Sequence, residues 1–301
     1  MVAARNVFFL FEIWKAIIMN SVKERRTDHK NRRGDTHMKL TQIRNATNRL
    51  EYAGATFLID PWLAPKHTLS FVDIPGMPYH IPDPVKENLP MPFYDLPFPL
   101  EQIMADVDAV IVTHLHPDHI DISPVDGTVG APLDKKIQIY CQNEEDAAVL
   151  ERSGFSRITV LPLTGLKVGD VTITRIPAQH GTYTNCGEAM GVMFSAETEK
   201  TFYLAGDTVW YYGVQKAIDA FKPEVIALNC CAAETKENGR LIMGAEDVWN
   251  VSLAAPEAKL YLTHMDNVAH ASFTRFTMRG QLAAYGVSDY DMPEDGASVV
   301  Y

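Results

Sequence analysis

The segment Thr113-His114-Leu115-His116-Pro117-Asp118-His119 constrains this chain more than any other. Asp108-Ala109-Val110-Ile111-Val112 runs directly into it, an apolar stretch that reads as a buried strand. Three histidines and one aspartate then fall within six residues, where the strand gives way to a loop, and these are residue types that hold zinc. In an extended backbone His114 and His116 project to the same side, because side chains alternate with period two. Pro117 turns the chain, so that Asp118 and His119 face a second point a few ångströms away. One short segment therefore offers ligands for two metals.

Three further positions repeat this placement. His180 follows the strand-like Val171-Thr172-Ile173-Thr174-Arg175, Asp207 follows the apolar run ending at Ala205, and His264 follows Leu260-Tyr261-Leu262-Thr263. A lone His or Asp at a strand end is more often a capping residue. Four metal-capable stations in one fixed order are a stronger signal. The pattern resembles the metallo-β-lactamase superfamily, whose H-x-H-x-D-H motif and later His, Asp and His stand here as His114, His116, Asp118, His119, His180, Asp207 and His264. The resemblance spans Met38 to Tyr301. Within the superfamily it is nearest to the branch that includes L-ascorbate-6-phosphate lactonase-like hydrolases, through Leu58-Ile59-Asp60-Pro61 and Leu204-Ala205-Gly206-Asp207-Thr208.

The resemblance implies an α/β fold, a four-layer αββα sandwich with the site along one edge of the two sheets. It implies that His114, His116 and His180 hold one metal, that Asp118, His119 and His264 hold a second, and that Asp207 bridges them. Asp60 resembles an aspartate that supports the metal shell without binding metal. Two divalent ions are expected, zinc first, with manganese or iron also compatible with imidazole and carboxylate ligands. In such sites, with the ions roughly 3.5–4 Å apart, the water between them becomes the nucleophile. Asp118 and Asp207 are therefore counted as catalytic residues as well as ligands. Several of the lactamases themselves carry cysteine where Asp207 stands; that departure, with no secretion signal apparent, argues against a role in antibiotic resistance.

Thr263-His264-Met265-Asp266-Asn267-Val268-Ala269-His270 offers two candidates for the final ligand. His264 leaves its strand almost immediately, and rigid strand ends place ligands more reliably than loops do. His270 lies beside Ser272, which reads as the N-cap of a final helix. A helix N-terminus disfavours imidazolium, so His270 is expected to be neutral at the cleft rim and to hydrogen-bond the substrate or its developing oxyanion, as a third catalytic residue. The alternative is a histidine that merely satisfies the helix start.

Around these motifs the chain is that of an ordinary globular protein. Residues 1–37 read as an extension outside the fold: Val7 to Met19 is apolar but interrupted by Glu12 and Lys15, and Lys23 to Arg33 is polar and basic. Residues 38–301 are expected to form a single domain. Residues 63–100 carry nine prolines and the aromatics Phe71, Tyr79, Phe93, Tyr94 and Phe98, which reads as a lid or binding loop over the metal cleft. His67 and His80, also in this segment, have no metal-like spacing and read as polar loop residues. Trp210, Tyr211 and Tyr212 are expected along one wall of the pocket. A net charge of −11 argues against a nucleic-acid surface. Cys141, Cys186, Cys230 and Cys231 form no C-x-x-C pair and suit buried thiols in a reducing cytoplasm. The expected activity is hydrolysis of a small-molecule lactone or other carboxylic ester, with no nucleic-acid or membrane partner. A phosphodiesterase needs Arg or Lys beside the metals, and few flank these motifs. A non-catalytic metal-dependent binding protein is disfavoured by the complete ligand set, and a redox role lacks length for a flavin domain.

Overall fold

Several strands of this chain, among them those at Ala109–Ile111 and Val225–Asn229, are buried on both faces. In the computed structural model, which describes residues 37–70 and 80–301, the strands are β1 (Lys39–Arg44), β2 (Thr47–Tyr52), β3 (Ala55–Ile59), β4 (Ala109–Ile111), β5 (Gln138–Cys141) and β6 (Ile158–Val160), then β7 (Leu166–Val168), β8 (Val171–Pro177), β9 (Met190–Ala196) and β10 (Glu199–Leu204). They continue with β11 (Val225–Asn229), β12 (Glu234–Thr235), β13 (Gly239–Arg240), β14 (Lys259–Thr263), β15 (Tyr290–Asp291) and β16 (Ser298–Val300). The α-helices are α1 (Leu100–Met104), α2 (Glu144–Arg152), α3 (Tyr212–Phe221), α4 (Ala245–Ala254) and α5 (Arg275–Ala284).

The strands form two seven-stranded sheets, in the orders β16-β1-β2-β3-β4-β5-β6 and β15-β14-β11-β10-β9-β8-β7, while β12 and β13 pair as a separate hairpin. Period-two alternation sorts side chains between layers. Phe57 and Ile59 of β3 join Val225 and Ala227 of β11 in a core shared by both sheets. Leu58, between the first two, packs outward with Ile103 of α1 and Leu150 of α2. Ile226 and Leu228 face the other way, against Val214 of α3, Val248 of α4 and Met278 of α5. An inner core flanked by two outer ones gives the expected four layers.

Parallel pairing runs through β3-β4-β5-β6 and through β10-β11-β14-β15, which sets several C-terminal strand ends side by side. Asn143 caps α2 by accepting from the Asp146 amide, and α4 carries Glu246 and Asp247 in its first turn, where the helix dipole favours them. The last helix differs from expectation. It begins at Arg275, and its cap is Thr274, whose hydroxyl accepts from the Thr277 amide. Ser272 instead donates its backbone N–H to Cys231 O. The short strand Gln138–Cys141 was not anticipated, because the flanking Lys135, Lys136 and Gln142 obscure its apolar core. Val7–Met19, Lys23–Arg33, Phe71 and Tyr79 lie outside the described residues. No helix among the described residues is long and apolar enough to cross a membrane.

Candidate metal centre

Seven predicted donors converge at one edge of the sandwich. His114, His116, Asp118 and His119 leave β4, His180 leaves β8, Asp207 leaves β10 and His264 leaves β14. Three groups have one donor atom per residue, all within 4.8 Å of one another: His114 with His116 and His180, His114 with His119 and Asp207, and Asp118 with His119 and His264. Asp207 lies at the centre. Its Oδ2 is 3.2 Å from His119 Nε2 and 3.8 Å from both His114 Nε2 and His180 Nε2, and its Oδ1 is 3.7 Å from His264 Nε2.

The donors are aimed at cations. His180 Nε2 faces His116 Nδ1 at 3.2 Å, and His119 Nε2 faces His264 Nε2 at 3.1 Å. Two imidazole lone pairs at that distance repel unless a proton or metal lies between them. His114 Nε2 is buried with no hydrogen-bond partner among the described residues, a costly state that coordination relieves. Neutral nitrogen and carboxylate oxygen in this mixture suit divalent transition metals.

The electrostatics divide the cluster. Burial, followed by the neighbouring histidines, holds His114 well below the usual imidazole range, and burial with His180 brings His116 to about 3. Burial also lowers His180. Burial opposes charge on His119 as well, but Asp207, Asp60 and Asp118 outweigh it and raise the ring to about 10. Burial is likewise overcome at His264, which Asp207 and Asp118 hold well above the usual range. Asp118 and Asp207 are both held low against burial, chiefly by His119.

Behind the donors stand groups that aim them. Asp60 Oδ2 accepts from His119 Nδ1 at 2.9 Å, and its carboxylate also takes the Thr113 amide and hydroxyl, each at 2.8 Å. His180 Nδ1 donates to Leu241 O at 3.1 Å. Asn229 Nδ2 donates to Asp207 Oδ1 at 2.6 Å. Cys231 Sγ lies 3.7 Å from His264 Nδ1, so this thiol is packed against a donor, whereas Cys230 contacts Thr263 O. Asn45 Nδ2 reaches Asp118 and His264 together.

Asn45, Asn229 and the Leu241 carbonyl were missed from sequence. Asn229 had a usable signal, since it ends β11 at the same station as the other donors. Asn45 sits in a polar turn that marks a hairpin but not a partner.

His270 is 9 % exposed, and its Nε2 lies 3.4 Å from Asp118 Oδ2. It therefore borders the cluster but belongs to none of the three donor groups. With the helix starting at Arg275, the argument from a helix dipole at His270 fails; the Asp118 carboxylate is its neighbour instead. The described part of the proline-rich segment runs beside the same loop. Met91 Sδ accepts from the Ala269 amide, while Phe93 N and Tyr94 N donate to the Asn267 backbone and side-chain oxygens. His80 is exposed and tied to Glu87 and to the β12–β13 turn through Glu237 and Lys236; His67 accordingly stands with it outside the cluster. Trp210 donates its backbone N–H to Asp247, and the Tyr211 hydroxyl anchors on Pro177 O, three residues before His180. Tyr212 is exposed at the start of α3.

A cluster of this composition, at the strand ends of a two-sheet αββα sandwich, defines a metallo-β-lactamase-fold metal-dependent hydrolase, and residues 55–265 match the family model described as a beta-lactamase superfamily domain. The chain is 36 % identical over 269 residues to UPF0173 protein YddR of Bacillus subtilis, covering 88 % of this chain and 100 % of that protein. It belongs to the UPF0173 metal-dependent hydrolase family within that superfamily. Two solved structures are similar over 88 % of this chain. A possible metal-dependent hydrolase from Veillonella parvula has 34 % identity and a TM-score of 0.78 over 100 % of its chain. The isothiocyanate hydrolase from Delia radicum gut bacteria has 36 % identity and a TM-score of 0.75 over 99 % of its chain.

Proposed function

We propose that this hydrolase uses two divalent metals, with zinc the first choice, to cleave a small molecule at an electrophilic carbon, a lactone or other carboxylic ester. The observation that carries the two-metal assignment is the central Asp207, whose two oxygens face histidines from both halves of the cluster. Bound divalent ions supply Lewis acidity, which polarises a carbonyl-type group and acidifies water. The chain's own residues supply the rest. Asp60 holds the His119 proton on Nδ1, leaving Nε2 free to face the site. Leu241 O does the same for His180. Asn229 fixes one oxygen of Asp207 and so sets the direction of the other. To His270, whose Nε2 lies 3.4 Å from Asp118 Oδ2, this reading assigns the hydrogen bond to the developing oxyanion or the proton for the leaving group.

Carbon rather than phosphorus is favoured by the commitments of the buried Arg44 and Arg275 and the partly exposed Arg240. Arg44 donates to Ala64 O and Tyr94 O, Arg240 pairs with Asp247, and Arg275 pairs with Asp266 and Asp295. Phosphodiester chemistry calls for such cations at the metals. A second substrate class is favoured by the similar isothiocyanate hydrolase. An isothiocyanate also presents an electrophilic carbon between two heteroatoms, and water addition followed by C–N cleavage gives an amine and carbonyl sulfide. A reducing cytoplasmic setting belongs to the same proposal, supported by four buried free thiols.

The test is turnover by metal-reconstituted protein against lactones, carboxylic esters, isothiocyanates, thioesters and phosphodiesters, with metal content measured in parallel. Hydrolysis of the carbon-centred substrates alone is expected. Preference for phosphodiesters, or protein that takes up no transition metal, overturns the proposal.

A further inference from the structure

We infer that Asn45 is a positioning residue that fixes Asp118 relative to His264, an inference that rests on the two-metal assignment. Asp118 comes from the loop after β4 in one sheet, whereas His264 comes from the end of β14 in the other. A metal shared by the two needs their separation held across the gap between sheets. Asn45, in the turn joining β1 to β2, reaches both. Its Nδ2 lies 3.1 Å from Asp118 O, 3.3 Å from Asp118 Oδ2 and 3.2 Å from His264 Nε2. Its carbonyl accepts from the His264 amide at 3.1 Å, from Thr263 Oγ1 at 2.8 Å and from Gln42 Nε2 at 2.9 Å.

Two features separate this residue from an ordinary turn. It is fully buried, at 0 % exposure, so its Nδ2 is committed to protein partners and not to water, while its Oδ1 has no hydrogen-bond partner among the described residues. It also belongs to a polar network placed between otherwise apolar sheets. Tyr261 donates to Asn48 Oδ1, and Thr263 Oγ1 meets Gln42 Oε1 and Asn48 Nδ2. Buried polar groups are retained at a cost unless each is satisfied, and this network ends on two metal-capable side chains. The amide donor fixes the plane of the Asp118 carboxylate. The carbonyl fixes the backbone at His264, where φ is +67°. Whichever group holds the His264 lone pair, the contacts to Asp118 remain.

Asn45 itself has φ of +47°, a conformation that Gly, Asn and Asp adopt most readily. That permits a clean test. Asn45→Gly keeps the backbone and deletes the amide. Asn45→Asp keeps the shape and turns a donor towards Asp118 into an acceptor. Zinc binding is read by equilibrium dialysis with elemental analysis, beside the visible spectrum of the cobalt-loaded protein and thermal melting with and without metal. Partners of this kind typically change metal affinity by about 10–100-fold. The expected result is wild type with two metals, and both variants folded, with one metal held as tightly as before and the other weakened 10–100-fold. Both variants holding two metals with wild-type affinity and cobalt spectrum overturn the inference and leave the two-metal assignment standing. Wild type that binds fewer than two metals overturns the assignment itself. If the Gly variant does not fold, the Asp variant decides by the same readouts.

Discussion

The two halves of the donor cluster are supported in different ways. His180 rests on a backbone carbonyl, Leu241 O, and His114 Nδ1 lies 3.1 Å from the Thr113 hydroxyl. Burial and mutual proximity hold the histidines of this half in the neutral form that metals take. The half built from Asp118, His119 and His264 rests on side chains: Asp60, Asn45 and Cys231. Carboxylates there raise His119 and His264. The lesson is one of vulnerability. Backbone supports persist through most substitutions, so His180 depends on the fold alone and the first half leans on one side chain, Thr113, whereas the second half can be taken apart one side chain at a time.

The largest effect is expected where the halves meet. Asp207→Ala removes the group facing both, and should lower turnover on the order of a thousandfold, about 4 kcal/mol of transition-state stabilisation. Metal content should fall from two to one or none. Full activity with two metals in this variant would remove Asp207 from the centre. Next comes the asymmetry itself. Asp60→Asn withdraws the carboxylate behind His119 and should weaken one metal by about 10–100-fold while sparing the other. Equal weakening of both metals would show that the halves act as one unit.

The comparison also explains what was legible in the sequence. Each of the seven candidate donors is a side chain with metal-ligand chemistry at or just beyond a strand end, so chain order and residue type singled out the residues that the fold brings together, while the four layers were legible through the family resemblance. The supports were less legible because their chemistry is generic. An asparagine in a turn, a leucine carbonyl and a buried thiol carry no signature until folding sets them against a donor. Asp60 was the exception, since it occupies a strand end like the donors. The helix start at Arg275 was misplaced because Ser272 and Thr274 are both capable caps, and only Thr274 has Thr277 three residues on to complete the reciprocal pair.

A smaller effect separates the two histidines that approach Asp118 Oδ2, His264 at 3.3 Å and His270 at 3.4 Å. His264→Ala should deplete the metal of the second half. His270→Ala should retain both metals and lower kcat by roughly a hundredfold, the low end of the range for loss of a positioned proton donor. Elemental analysis giving the reverse pattern would exchange their roles.

The smallest effect on activity is expected at Asp121, two residues beyond the motif, where the consequence falls on stability. Its Oδ2 accepts from the Leu63 amide at 3.1 Å, while Oδ1 is buried with no partner among the described residues. Burial raises this carboxyl from 3.8 to about 6, against the pull of the Leu63 and Ala64 amides and of Arg44. The folded protein therefore binds this proton more tightly than the unfolded chain does. Between those two values the native state carries more protons, so this group's contribution to stability declines as pH rises and stays low above the folded value. A shift of that size corresponds to at most about 3 kcal/mol. Asp121→Asn cannot ionise and still offers an oxygen to Leu63. Its stability relative to wild type should therefore climb from pH 4 to pH 6 and level off by about pH 7, with turnover near wild type. Urea midpoints for both proteins across that range provide the measurement. A difference that does not change with pH would show that the Asp121 carboxyl titrates normally despite its burial.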